Sequence, residues 1–301
     1  MRPLEIVIPS RAGHFSTLRL LASLQRRNSR FALKQSSLRA LRCGGRVPRK
    51  ISNARFRDPI SKLRKGLDVT TPGYCLEMGM EEYGKVFELQ KKLNQARRNG
   101  TIPDTVILLE HHPCLTIGRK GGFDHILVSD QFLDQEGIKV YETDRGGDIT
   151  YHGPGQLVCY PILDLNEFGR DVHLYARRME ETLICTLESF GIAAGRKADY
   201  PGVWAGAAKI GAEGIGIQHW VTMHGVSLNV CPDLRHFSFI VPCGISTLGV
   251  TSMEELLGYP IDMAPVKREM RRQLSRIFNL TLKDISLEKV MEMAGGVHNP
   301  V

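Results

Sequence analysis

Apolar residues return every three to four positions across residues 81–99, where Val86, Leu89 and Leu93 share one side of a 3.6-residue turn. That stretch predicts an amphipathic helix closed at Asn99-Gly100. The same spacing recurs across 172–190, with Leu174, Ala176, Met179, Leu183 and Leu187 facing inward and Gly191 as the stop. Residues 265–279 predict a C-terminal helix, 284–293 a weaker one, and 129–137 a short one ending at Gly137. Short apolar runs at 74–78, 105–109, 115–120, 138–141 and 157–163 predict strands. Further on, 201–206, 208–214 and 220–230 are strands in a Gly-rich setting, naturally paired as hairpins, and 237–242 reads as a strand ended by Pro242. Helices and strands mix without a strict βαβ period, so the fold class is α+β, with a mixed, mostly antiparallel sheet packed by helices.

Charge divides the chain where the periodicity begins. Residues 1–66 carry 17 Lys and Arg against only Glu5 and Asp58, whereas the remainder holds 23 bases and 30 acids, a net of −7, so the overall +8 belongs to the leader. The leader is also rich in serine and has Leu18, Leu21, Leu24 and Phe31 at roughly helical spacing among Arg19, Arg26, Arg27 and Arg30. Three readings fit it: an organellar transit peptide, residues translated from upstream of the true start, or a basic arm for nucleic acid. All three set 1–66 aside as an N-terminal extension, expected to be disordered, and leave 67–301 as a single catalytic domain. No run of 18 apolar residues predicts a transmembrane helix, and no membrane partner is expected. The seven cysteines, at 43, 75, 114, 159, 185, 231 and 243, are odd in number and widely spaced, fitting neither a disulfide framework nor a metal site and implying a reducing compartment. His111 and His112 are adjacent and point to opposite sides of a strand, which makes a shared metal awkward.

The densest chemistry lies in Arg145-Gly-Gly-Asp-Ile-Thr-Tyr-His-Gly-Pro-Gly-Gln156. Glycines at this density let a backbone approach something closely, and a fork donor, a hydroxyl, an imidazole and an amide are interleaved with them. Among the cysteines, Cys75, Cys159 and Cys185 fall inside apolar patterns and read as buried hydrophobes, while Cys114 and Cys231 are ambiguous. Cys243 follows Pro242 and precedes Gly244, in a turn whose N–H groups can stabilise a thiolate or an oxyanion. A thiolate at neutral pH needs a positive neighbour. Lys209, flanked by alanines and glycines rather than by polar residues, is the candidate, and partial burial would suit it to exchange a proton.

These blocks together resemble the lipoyl(octanoyl) transferases, from about Tyr74 to about Leu256. Arg145 to Gln156 is similar to that family's signature, Ala208-Lys-Ile-Gly-Ala-Glu-Gly214 to its lysine block, Met223-His-Gly-Val-Ser-Leu-Asn-Val230 to its His-Gly block, and Ile240-Val-Pro-Cys-Gly-Ile245 to its Pro-Cys-Gly block. The resemblance implies the biotin and lipoate protein ligase fold, with Cys243 as acyl-thioester nucleophile and Lys209 as its activator. It implies a substrate pocket built from Arg145, Gly146, Gly147, Asp148, Ile149, Thr150, Tyr151 and His152, with Ala212, Glu213 and Gly214, and with Gly225, Val226 and Ser227. Tyr151 and His152 are expected to orient the acyl carbonyl. The implied reaction moves an octanoyl group from octanoyl-acyl carrier protein to the lysine of lipoyl domains in 2-oxoacid dehydrogenase complexes and of glycine cleavage H protein. It needs no cofactor and no metal, since the thioester brings its own activation. Arg119, Lys120, Arg170, Arg177 and Arg178 are candidates for steering an acidic partner. The implied compartment is cytoplasmic, or the mitochondrial matrix if the leader is a transit peptide. The alternatives are an ATP-dependent ligase on the same fold, a papain-like cysteine protease, whose cysteine normally precedes its histidine, and a non-catalytic nucleic-acid binder, against which the acidic core argues.

Overall fold

The computed structural model describes residues 70–241 and 249–295, so the 1–66 extension and Cys243 lie outside the described residues. The chain opens with β1 (Thr71–Glu81), α1 (Tyr83–Arg98) and β2 (Asp104–His111), followed by β3 (Cys114–Ile117), α2 (Asp130–Gln135), β4 (Lys139–Glu142) and β5 (Ile149–His152). Then come β6 (Gln156–Ile162), α3 (Val172–Ser189), β7 (Gly195–Lys197), β8 (Tyr200–Ala205), β9 (Ala208–Gln218) and β10 (Val221–Asn229). The described chain ends with α4 (Met253–Leu257), α5 (Met263–Phe278), β11 (Leu280–Asp284) and α6 (Leu287–Met293).

Eight strands form one sheet in the order β11-β1-β2-β6-β10-β9-β8-β7, and β4-β3-β5 form a second, small one. Only β11-β1, β1-β2 and β3-β4 pair in parallel, so the sheets are mixed and mostly antiparallel. Strand alternation gives the large sheet two apolar faces. On one, Val106, Leu108, Leu157, Cys159, Val226 and Leu228 pack under Tyr175, Met179, Leu183 and Leu187 of α3 and under Val266, Met270 and Leu274 of α5. On the other, Ile107, Leu109, Val158, Tyr160 and Ile162 pack against Val86, Leu89 and Leu93 of α1. The periodicity of the two long helices therefore maps onto their buried sides. α3 starts where Asp171 accepts a hydrogen bond from Leu174 N at 2.9 Å, an N-cap, and Gly100, Gly137 and Gly191 carry the positive φ that ends a helix. Among the described residues no helix is long and apolar enough to cross a membrane.

The expected strand across 237–242 is not one. Residues Leu234–Phe239 form a 3₁₀ helix opened by Asp233, and only an isolated bridge pairs Ile240 with Ile126. Aromatic packing holds the turn: Phe237 lies 5.4 Å from the Tyr151 ring and Phe239 lies 5.1 Å from that of Phe132. Conversely, the middle of the glycine-dense loop is a strand, β5, and β11 lies between the two stretches read as C-terminal helices, meeting the second only at Asp284.

Candidate active site

On β9 and β10, Gly214 stands opposite Gly225 and Ala212 opposite Ser227. Four small residues on the α1 side of the sheet leave a hollow there, and the chain from Arg145 to His152 closes it from the side of the small sheet. The result is a cavity of about 540 Å³, within the usual range for small-molecule sites. Gly147 turns with φ +84, and a Cβ on Gly214 would stand 2.9 Å from Arg145 Cδ and 3.3 Å from Gly146 O, so the absence of a side chain on β9 there makes room for the Arg145 side chain and the loop. Gly146 N donates to Ile215 O at 2.8 Å and fixes the loop to β9.

Of the residues expected to build the pocket, Arg145, Gly147, Asp148, Ile149, Thr150, His152, Lys209, Ala212, Glu213, Gly214, Gly225, Val226 and Ser227 line this cavity. Gly146 and Tyr151 do not. Alternation along β5 turns the Tyr151 ring into the core of the small sheet, with Leu115, Ile117 and Leu133, and its hydroxyl bonds His236 Nδ1 at 2.7 Å. It is thus not placed to orient an acyl carbonyl. Glu213 and Val226 are opposite each other on the α3 side, so they offer the cavity backbone rather than side chain. Burial, and after it the Glu180 carboxylate, push the Glu213 carboxyl up to about 8.

Arg145 is 6% exposed, and its Nη2 donates to Thr116 O at 2.5 Å and Thr116 Oγ1 at 2.9 Å. The guanidinium thus braces the loop on β3 while adding positive charge to the wall. Asp148 Oδ1 accepts from His125 Nδ1 at 2.7 Å and from Ile149 N at 2.6 Å, which closes the loop's own turn. His152 is buried and stacked on Tyr83 at 6.1 Å, and burial together with the neighbouring His111 pushes it down to about 3. His111, the last residue of β2, is buried, and His112, the residue after it, is exposed.

Lys209 Nζ lies 5.1 Å from the centroid of the Trp204 ring, at the cavity wall. Its backbone is paired with the segment that leaves the Pro242-Cys243-Gly244 stretch: Lys209 N donates to Gly249 O at 2.8 Å and Thr251 N to Lys209 O at 3.0 Å. Gly249 and Val250 line the cavity. On the entering side, Val241 N donates to His125 O at 2.9 Å. The described cysteines offer no rival nucleophile, because burial raises the pKa of Cys75, Cys114, Cys159, Cys185 and Cys231 alike. Among the proposed steering cations, Lys120 reaches the cavity, whereas Arg177 pairs with Glu180 at 3.3 Å and Arg170 and Arg178 lie over the Trp220 and Phe278 rings.

Gln156, the amide of the glycine-dense segment, also lines the cavity, while sequence reasoning missed other residues of the wall, among them Tyr83, Tyr160, Trp204, His224 and Asn229. A signal existed for two of them, since His224 and Asn229 stand inside the blocks already quoted. His224 takes φ +56, donates from Nε2 to Asp144 Oδ1 at 2.7 Å, and is kept neutral by burial that outweighs this carboxylate.

The model of the lipoyl protein ligase A/B catalytic domain matches residues 82–275. The chain belongs to that family. Among curated relatives, an octanoyltransferase of Caldicellulosiruptor saccharolyticus is 43% identical over 71% of this chain and 92% of its own. One of Solibacter usitatus is 45% identical over 69% of this chain and 94% of its own. These octanoyltransferase relatives, matched over more than nine tenths of their own length, make the protein an acyltransferase within that family. Solved structures share the fold: a lipoate-protein ligase A bound with ATP superposes with a TM-score of 0.61 at 18% identity, covering 74% of this chain and 93% of that one. A putative lipoate protein ligase from T. acidophilum gives 0.59 at 18% identity, covering 74% and 92%.

Proposed function

We propose that this protein moves an octanoyl group from octanoyl-acyl carrier protein, through a thioester on Cys243, to the acceptor lysine of lipoyl domains in 2-oxoacid dehydrogenase complexes and of glycine cleavage H protein. The observation that carries the reading is the convergence of three separate sequence blocks on one cavity, with Lys209 on the wall where the chain leaves the Pro242-Cys243-Gly244 stretch. The names of the curated relatives support the acyl group, and the raised pKa values of the described cysteines favour Cys243 as the thiolate.

In the first step the Cys243 thiolate attacks the thioester carbonyl; a new C–S bond forms, the old one breaks, and the carrier's thiolate leaves and takes a proton. Lys209 supplies positive charge beside the thiolate and is the proton donor for the departing sulfur. In the second step the acceptor amine attacks the Cys243 thioester, a C–N bond forms, and Cys243 leaves as thiolate. The amine's surplus proton passes to Lys209, which is neutral after the first step. ATP has no part in either step. The cytoplasm is the proposed compartment, with the mitochondrial matrix the alternative should residues 1–66 act as a transit peptide.

The test is turnover with defined substrates. Octanoyl-acyl carrier protein plus a lipoyl domain should yield octanoylated domain without ATP, while octanoate plus ATP should yield none. The reverse pattern would make the protein a ligase.

A further inference from the structure

Behind the cavity wall, a row of side-chain amides admits one consistent set of donors and acceptors. The backbone carbonyl of Thr251 can only accept, and it takes a 3.0 Å bond from Asn229 Nδ2. Asn229 therefore turns Oδ1 toward Gln156, whose Nε2 donates to it at 2.9 Å. The same Nε2 donates to a second backbone carbonyl, that of Tyr151, at 3.2 Å. Both N–H groups of Gln156 are then in use, and Oε1 is the atom that meets His152 Nδ1 at 2.6 Å. An amide oxygen accepts, so Nδ1 carries the proton and Nε2 of the neutral ring is a bare acceptor. Asn229 is 4% exposed and Gln156 1% exposed, so flipping either amide would bury unsatisfied groups on both sides. The row continues through Thr251 N to Lys209 O at 3.0 Å, which sets the histidine and the lysine in one frame.

His152 lines the cavity, and its Nε2 makes no hydrogen bond with a described residue. We propose that Gln156 and Asn229 are positioning residues for the second half-reaction: they lock His152 in the Nδ1–H tautomer, so that Nε2 accepts an N–H of the incoming lysine ε-amine and aims its lone pair at the thioester carbon. The proposal rests on the octanoyl transfer described above. Arg145, Lys120 and Lys209 border the cavity together with Asp148, Asp199 and Glu213, so its charge does not select the amine by itself; attack on the thioester requires the neutral form, whose N–H groups then need an acceptor out of water. His152 meets that need without taking the proton. Tyr83 of α1, His111 of β2, Arg145 and His224 of β10 surround it, and none of them offers it a carboxylate. Lys209 remains the proton acceptor, and His152 supplies direction.

Long-range ¹H–¹⁵N spectra of the whole protein should show His152 with a protonated, pyrrole-type Nδ1 and an unprotonated Nε2, unchanged down to pH 5. In rapid-quench experiments with octanoyl-acyl carrier protein and a lipoyl domain, Gln156→Leu should slow acyl transfer to the lysine about tenfold or more, the scale of a misaligned reactant. Octanoylation of Cys243 should stay within about threefold of the parent, on the same reasoning. Gln156→Glu keeps an acceptor against Nδ1 but sets a second oxygen against those of Tyr151 and Asn229, and a buried carboxylate there favours the imidazolium, so Nε2 should gain a proton and the second step should slow as it does in Gln156→Leu. An Nε2–H tautomer in the parent protein, or equal losses in both steps for Gln156→Leu, would overturn the proposal; where Gln156→Leu does not fold, the parent spectrum decides. Failure of the parent to acylate Cys243 at all would instead overturn the transfer itself.

Discussion

The two faces of the β9–β10 ribbon are built from the same few residues and do different work. On the α1 side, Ala212, Gly214, Gly225 and Ser227 are small and leave a cavity; on the α3 side, Glu213, Val226 and Leu228 are covered by α3. Residues adjacent in sequence thus fall in different environments, because a strand turns successive side chains to opposite faces. A motif that reads as one block, Ala212-Glu213-Gly214, is divided: two members shape the cavity, and the carboxyl of the third is buried beside Glu180. The contrast teaches that a signature can combine groups for chemistry with groups that hold the strand in place, and that only strand register separates them.

The sharpest way to break this division is at Lys209, on the cavity side. Lys209→Ala should reduce overall transfer by about 10³-fold, within the span of losing a general acid–base group. Lys209→Arg should still form the thioester, more slowly because it cannot protonate the departing sulfur, while the second step falls about 10²-fold, since a guanidinium keeps its proton. Equal modest losses in the two steps, read by rapid quench, would reduce Lys209 to an electrostatic partner.

The α3 face should respond in stability instead. Leu228→Ala removes a fully buried side chain and should cost about 2–5 kcal/mol in chemical denaturation, with kcat per folded molecule within about threefold of the parent. Returning to the cavity face, Ala212→Leu adds bulk where acyl carbons would lie. It should raise the KM for octanoyl donors about tenfold and favour shorter chains, a discrimination of the size usual for a few methylenes. A chain-length profile unchanged by Ala212→Leu would place the acyl group elsewhere.

The smallest effect belongs to Glu213→Gln, on the covered side. The folded-state pKa of Glu213, about 8, lies above the usual carboxylate value. Between those two values the folded protein binds a proton that the unfolded chain has released. This group's contribution to stability is therefore present at low pH and lost as pH rises through about 8. Glu213→Gln should flatten that part of the Tm–pH curve between pH 5 and 8.5 and leave turnover nearly unchanged. A large drop in kcat would put the carboxylate in the chemistry.

Much of the architecture was legible in the sequence, for reasons that can be traced. The 3.6-residue period located α1 and α3 because each has one buried side, and glycines marked their ends because a left-handed residue was required there. Short elements set by tertiary contact were not legible. β11 is five residues long and finds its place only by pairing with β1, while Phe237 and Phe239 look like strand residues but are held in a 3₁₀ turn by Tyr151 and Phe132. The misplacement of Tyr151 has the same origin, because a residue in a loop has no assigned face until the loop proves to be β5. The direction of the His152 ring lay beyond any local pattern, since it depends on two backbone carbonyls 100 residues apart in sequence.

Cys243 is the proposed carrier of the acyl group. Intact mass spectrometry after incubation with octanoyl-acyl carrier protein, followed by peptide mapping, tests it directly. One octanoyl adduct is expected, on Cys243, that is discharged on adding a lipoyl domain and is absent from Cys243→Ala. An adduct on any other cysteine, or transfer by Cys243→Ala near the parent rate, would contradict it.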